Sequence, residues 1–212
     1  MIGILGGTFA PIHNGHLRLA LEAREQLGLD EVRLVPAGAP PLRAVPAVSS
    51  QRRLKWVQLA IAGEKQLVAD DREVRRSGPS YTVDTLTELR AEHGDLPLCL
   101  IVGQDAAQQL NKWHRWQNLV QLAHLVIVNR PGTALELPPM VAAMLQEAPD
   151  AGALREQPAG LFWRVTMPPM QISASDIRRR LKAGLSARGL VPDRVLADFT
   201  PQDIKAFSQD AP

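Results

Sequence analysis

The stretch Ile2-Gly3-Ile4-Leu5-Gly6-Gly7-Thr8-Phe9-Ala10-Pro11-Ile12-His13-Asn14-Gly15-His16 decides the fold. Ile2 to Leu5 is a short apolar run ended by Gly6-Gly7, which reads as a buried strand entering a turn. From Gly15 to Leu27 the apolar residues Leu17, Leu19, Ala20, Ala23 and Leu27 recur at helical spacing, and Gly28 stops the helix. A strand, a glycine turn and a helix open an α/β sheet, whose ligands bind at the carboxyl ends of the strands. Gly6 and Gly7 carry no Cβ, so the backbone can come close to a phosphate. Thr8 adds a hydroxyl and an N–H, and a helix starting near Asn14 adds N–H groups and the positive end of its dipole. His13 and His16, on either side of Gly15, can reach one side of the same turn and hold the oxygens of a triphosphate as charge moves to a leaving group. A glycine pair alone is more often only a tight turn. A metal-binding reading of the two imidazoles needs a third ligand, and none stands at a suggestive spacing.

The same alternation continues along the chain. Val32 to Val35 is a second strand closed by Pro36, and Pro40-Pro41 marks a loop. Ser49 or Ser50 caps a helix carrying Leu54, Val57, Ala60 and Ile61. Leu67-Val68 is a short strand, Thr82 to Arg90 a helix, and Leu98 to Val102 a buried strand. Trp116 to Leu122 is helical, His124 to Val128 and Leu161 to Val165 are strands, and Ser175 to Leu181 and Pro192 to Phe199 are helices. Strands alternating with helices predict a Rossmann-like, doubly wound α/β fold: a mainly parallel sheet with helices on both faces and a small C-terminal helical part over about 173–212. The whole chain, 1–212, reads as one domain. Residues 133–160, rich in Pro, Ala, Gly and acids, are expected as an insertion or flexible segment.

Bulk composition narrows the classes. At 212 residues, 45% of them hydrophobic, the chain can bury one good core. Lys plus Arg is 24 and Asp plus Glu is 22, for a net charge of +2, and only 4% of residues are aromatic; this argues against a nucleic-acid partner. The single Cys99 lies in the run Leu98 to Val102 and reads as a small core residue. The N-terminus has no signal-peptide pattern and no window suits a membrane span, so a cytoplasmic protein without membrane contact is expected.

A second candidate site is Ile172-Ser173-Ala174-Ser175-Asp176-Ile177-Arg178. Ser173 or Ser175 can cap a helix whose first N–H groups face an anion, and Arg178 can add a forked positive charge. By itself this segment is more often an ordinary capped helix with a basic stripe. Together, His13-Asn14-Gly15-His16 and this segment resemble the HxGH and ISSTxIR signatures of the nucleotidyltransferase superfamily. Pro79-Ser80-Tyr81-Thr82, Gly103-Gln104-Asp105, Trp113-His114-Arg115-Trp116 and Asn129-Arg130-Pro131-Gly132 follow in the order found in bacterial nicotinate mononucleotide adenylyltransferases. The resemblance covers residues 1 to about 199.

That resemblance implies transfer of AMP from ATP to nicotinate mononucleotide, with pyrophosphate released. His13, His16 and Arg178 would be catalytic. Gly6, Gly7, Thr8, Phe9, Gly15, Gly103, Asp105, Ile172, Ser173 and Ser175 would bind ATP. Ser80, Tyr81, Thr82, Trp113, His114, Arg130 and Arg43 would bind the mononucleotide. Thr82 at a helix start suits the nicotinate carboxylate, Trp113 a stacking contact on the pyridinium ring, and Asp105 the ribose hydroxyls. Mg2+ is expected to arrive with ATP, held by phosphate oxygens and water, with no protein metal site. The attacking phosphate is already ionised near neutral pH, so no general base is required. The chain departs from the pattern at Ala10, where an acid or amide is usual, at Leu42, where His is usual, at His114, where an aromatic residue is frequent, and at Ser175 in place of Thr. A nicotinamide mononucleotide or phosphopantetheine acceptor, a nucleotide sensor without catalysis, and a monomer or homodimer all remain open at this point.

Overall fold

The computed structural model describes residues 1–41, 46–129, 137–168 and 170–208. Arg43 and Arg130, with Leu42, Pro131 and Gly132, lie outside them. In chain order the elements are β1 (Ile2–Gly7), α1 (Asn14–Leu27), β2 (Glu31–Pro36), α2 (Ser50–Ala60), β3 (Leu67–Ala69), α3 (Arg72–Arg75), α4 (Thr82–His93), β4 (Leu98–Gly103) and α5 (Gln104–Ala107). There follow α6 (Trp116–Leu122), β5 (His124–Asn129), α7 (Pro139–Ala142), β6 (Gln146–Glu147), β7 (Leu161–Thr166), α8 (Ala174–Lys182), α9 (Asp193–Asp198) and α10 (Pro201–Ala206). The seven-stranded sheet runs β3-β2-β1-β4-β5-β7-β6 and is all parallel, so the expected Rossmann-like α/β class holds. Strand order reverses at β1, which pairs with β4 in the register Ile2↔Leu98, Gly3↔Cys99, Ile4↔Leu100.

The chain forms two compact units. The first comprises Met1–Gly6, Leu19–Arg33 and Tyr81–Pro169. It holds the central strands, and Leu98 to Val102 is buried throughout, as expected of a parallel strand covered on both sides. Gly3 sits in tight packing: a Cβ there would stand 2.8 Å from Leu29 Cδ1 and 2.9 Å from Ile101 Cδ1, so those side chains would have to shift. Within 133–160, residues 137–160 carry α7, β6 and the 3-10 turn Gly152–Arg155, with Val141 and Leu154 fully buried. Arg90 closes the end of α4 by donating to the carbonyls of Gly94, Leu96, Leu122 and Pro158.

The second unit comprises Gly7–Arg18, Leu34–Ser80 and Met170–Pro212. Its C-terminal helices dock on α2. Trp56 and Phe207 are fully buried, and Phe199 meets Trp56 edge to face at 5.0 Å. Arg52 ties the same helices by ion pairs to Asp198 at 2.5 Å and Asp203 at 2.7 Å. The sequence reading ended its helices at Phe199 and did not foresee α10. Its start signal is a capping box, in which Thr200 accepts from the Asp203 N–H and Asp203 accepts from the Thr200 N–H, with Pro201 at the first helical position. Among the described residues no helix is long and apolar enough to cross a membrane.

Candidate active site

The second unit brings the two sequence signatures together. After Gly7 the chain turns sharply: Phe9 is buried with φ of +49°, in the left-handed region. Phe9 and Arg115 are the non-glycine residues with positive φ among those described, and both lie in the singled-out segments. Such backbone costs on the order of 1 kcal/mol or more and persists where surrounding contacts over-determine it. A Cβ on Gly7 would sit 2.9 Å from the Phe9 ring, so the second glycine is required by its own turn. The Ala10–Pro11 bond is cis. Helix α1 then starts at Asn14, whose N–H donates to the Leu190 carbonyl at 2.9 Å and whose side-chain amide donates to the Gly189 carbonyl at 2.8 Å.

The imidazoles of His13 and His16 stack at 3.6 Å with planes 22° apart. The His13 N–H donates to His16 Nδ1 at 3.2 Å, so the ring proton of neutral His16 is on Nε2. Phe9 packs its ring edge to face on His16 at 5.0 Å. His13 is only 7% exposed, and burial pushes its pKa down to about 4. A neutral His13 lets the rings stack without like-charge repulsion. Its Nδ1 is buried without a protein partner. Gly15 leaves room beside the pair: a Cβ there would lie 3.1 Å from His13 Nδ1, tighter than ordinary contact, and 3.7 Å from the Ile172 Cβ.

The serine-rich segment closes on the same turn. Ser173 is the N-cap of α8 and accepts from the Asp176 N–H at 3.1 Å, which decides between the two serines. Arg178 reaches from α8 to the Ala10 carbonyl at 2.9 Å and to Ser175 Oγ at 3.3 Å. Position 10 thus contributes a main-chain oxygen, which the departure to Ala leaves intact. Ser80 is 9% exposed, and its hydroxyl accepts from the N–H groups of Gly38 at 2.9 Å and Ala39 at 3.1 Å. Arg53, which sequence reading passed over, is 1% exposed and donates to the carbonyls of Thr8 and Ala37, each at 2.6 Å. The signal for it was a charged residue on the face of α2 that also carries Trp56 and Val57, at helical spacing.

The first unit gathers the remaining candidates. Gly6, near the end of β1, and Gly103, at the end of β4, both face open space. Asp105 is exposed in the first turn of α5, whose N-cap is Gly103. Thr82 is the first residue of α4, and the Tyr81 carbonyl before it accepts from the Asp84 and Thr85 N–H groups. The Tyr81 and His114 rings lie 4.1 Å apart, tilted by 30°, which brings the Ser80-Tyr81-Thr82 and Trp113-His114 segments together. Trp113 is half-buried, unlike the core residue Trp116. Among the described residues no cluster of three or more His, Cys, Asp or Glu could hold a metal ion. The second unit's donors near the turn are imidazoles, amides and a guanidinium, which suit phosphate oxygens, whereas Mg2+ selects oxygen ligands.

A parallel sheet whose first turn joins an HxGH histidine pair to a serine-capped, arginine-bearing helix defines a nucleotide-binding α/β protein. The cytidylyltransferase-like family model matches residues 4–180, and the chain belongs to that family of nucleotidyltransferases. Within it the chain falls in the nicotinate-nucleotide adenylyltransferase branch of NAD biosynthesis. It is 47% identical over 203 residues to a protein of Aeromonas salmonicida named "Probable nicotinate-nucleotide adenylyltransferase", covering 95% of this chain and 94% of that one. It is 48% identical over 195 residues to a protein of the same name from Marinobacter nauticus, covering 91% and 90%. The fold is also that of Plasmodium falciparum nicotinic acid mononucleotide adenylyltransferase complexed with NaAD, at a TM-score of 0.68, 16% identity and coverage of 98% and 94%.

Proposed function

We propose that the chain transfers the AMP part of ATP to nicotinate mononucleotide, giving nicotinate adenine dinucleotide and pyrophosphate. The observation that carries this reading is the meeting of the histidine turn with α8, where Arg178 donates to the Ala10 carbonyl beside the stacked His13 and His16. In this reading a phosphate oxygen of the mononucleotide attacks the α-phosphorus in line, and the bond from that phosphorus to the bridging oxygen of pyrophosphate breaks. No proton has to be removed from the nucleophile. The residues therefore act by alignment and charge stabilisation.

His16, through Nε2, and Arg178, through its guanidinium, stabilise the charge that grows on the leaving phosphates. His13, held neutral by burial, supports His16 through the stack and the N–H to Nδ1 bond. The backbone at Gly6, Gly7, Thr8 and Phe9, with Gly15, Ile172, Ser173 and Ser175, receives the triphosphate, and Gly103 and Asp105 receive the adenosine. Thr82, at the start of α4, takes the nicotinate carboxylate, and Trp113 stacks on the pyridinium ring with Tyr81 and His114 beside it. Ser80 acts on the Gly38–Ala39 turn. Arg43 and Arg130 are assigned to the mononucleotide by resemblance alone. Mg2+ bound by the phosphate oxygens would neutralise charge on the triphosphate as pyrophosphate leaves. We place the reaction in the cytoplasm, where Cys99, its thiol pushed up to about 12 by burial, would be chemically quiet.

The test is pyrophosphate release from ATP and Mg2+ with nicotinate mononucleotide and nicotinamide mononucleotide in parallel. Strong preference for the acid is the expected result. Absence of release with either acceptor overturns the reading and directs attention to the departures at Ala10 and Leu42.

A further inference from the structure

Arg53 is charged, lies in the middle of a folded unit, and binds main-chain oxygens from three separate stretches. Its Nη1 donates to the Thr8 carbonyl at 2.6 Å, its Nη2 to the carbonyls of Ala37 at 2.6 Å and Gly38 at 3.2 Å, and its Nε to the Val48 carbonyl at 3.3 Å. Thr8 follows the end of β1, Ala37 and Gly38 follow the end of β2, and Val48 precedes the cap of α2. The turns after β1 and β2 are further joined by the Ala37 N–H, which donates to the Gly7 carbonyl at 2.9 Å. Ser80 holds the second turn from another side through the Gly38 and Ala39 N–H groups. Gly38 has to be glycine, since a Cβ would stand 2.2 Å from the Glu73 carbonyl oxygen.

We infer that Arg53 is a positioning residue for ATP: its guanidinium holds the Thr8–Phe9 peptide in its left-handed turn and polarises the Phe9 N–H towards the triphosphate. The inference rests on the proposed reading of the Gly6 to Phe9 turn as a phosphate cradle. The Thr8 carbonyl and the Phe9 N–H belong to one peptide group. A cation at the oxygen of that group makes its N–H a stronger donor. The same contact helps Phe9 keep its φ of +49°. A guanidinium can do this because it presents five N–H donors in a planar fork, enough for carbonyls on three stretches at once. A lysine at 53 would offer one point charge and could satisfy only part of the set.

The experiment compares wild type, Arg53→Gln, Arg53→Lys and, as a control, Arg90→Gln, each assayed for pyrophosphate release below its melting temperature. Arg90 also gathers backbone carbonyls but lies in the other unit. Arg53→Gln should lower kcat/KM for MgATP by about ten- to a hundred-fold, on the scale of one lost electrostatic donor, with KM for nicotinate mononucleotide within about two-fold of wild type. Arg53→Lys should recover part of the loss, and Arg90→Gln should lower the melting temperature with both KM values kept. Unchanged ATP parameters in Arg53→Gln, or equal rises in both KM values, overturn the inference. If Arg53→Gln does not fold, calorimetric binding to Arg53→Lys decides: weaker MgATP binding with nicotinate mononucleotide binding kept supports it, and equal MgATP binding overturns it. If wild type makes no dinucleotide, the proposed reaction falls by itself. Calorimetric MgATP binding then still tests Arg53, with weaker binding by Arg53→Gln expected and equal binding overturning it.

Discussion

The histidine pair shows how one residue sets the role of another. His13 is buried and neutral, and its main-chain N–H fixes His16 with Nε2 outward. The spacing of the two imidazoles was legible in the sequence, but their unequal burial was not, because burial depends on which distant segments folding packs around each ring. His16→Ala should lower kcat by at least about two orders of magnitude, the scale of losing one charge-stabilising donor, as read from pyrophosphate release. A near-normal rate would remove His16 from that role. Trp113, half-buried beside the Tyr81–His114 contact, leads to a different expectation. Trp113→Ala should raise KM for nicotinate mononucleotide more than KM for ATP, and equal effects on the two would point to a packing role.

Elements with continuous apolar runs were read close to their true limits. Helix α6 spans Trp116–Leu122 as the periodicity predicts, and the central strands differ from their predicted ends by a residue or two. Short elements were missed: α3, α5 and α7 have four residues each, too few for a helical period to show. The last helix, α10, is different, since Thr200, Pro201 and Asp203 spell a start signal and Phe207 anchors it in the core. Phe207→Ala should destabilise the protein by roughly 3–5 kcal/mol, because Phe207 is fully buried and the vacated volume lies against the fully buried Trp56 and the half-buried Phe199. Chemical denaturation would measure this, and a cost below about 1 kcal/mol would mean that the C-terminal helices contribute little to the fold.

At the scale of the whole molecule, two buried histidines set the response to acid. His13 is lowered to about 4, and His124, fully buried between the Gln157 carbonyl and the Leu161 N–H, is lowered chiefly by burial. A histidine whose folded pKa lies below its unfolded value binds fewer protons folded than unfolded. Stability therefore falls as pH drops from the unfolded value of 6.5 towards 4, and His13 alone accounts for roughly 3 kcal/mol across that window. Calorimetry at pH 5 should detect uptake of at least about one proton on unfolding, and pH-independent stability between 7 and 4.5 would contradict this assignment. The α/β class, the chain order of the main strands, the glycine turn and, through the family resemblance, the association of the histidine and serine motifs were determined by sequence alone. Apolar periodicity and turn chemistry are local, and a nucleotide-binding turn needs particular residues at short spacing. Tertiary structure alone decided that Ser173 caps α8, that Ser80 turns its hydroxyl to the Gly38–Ala39 backbone, and that Arg53 lies under Thr8. Each of these depends on which distant carbonyls and N–H groups folding brings within hydrogen-bonding distance, and no local pattern records that.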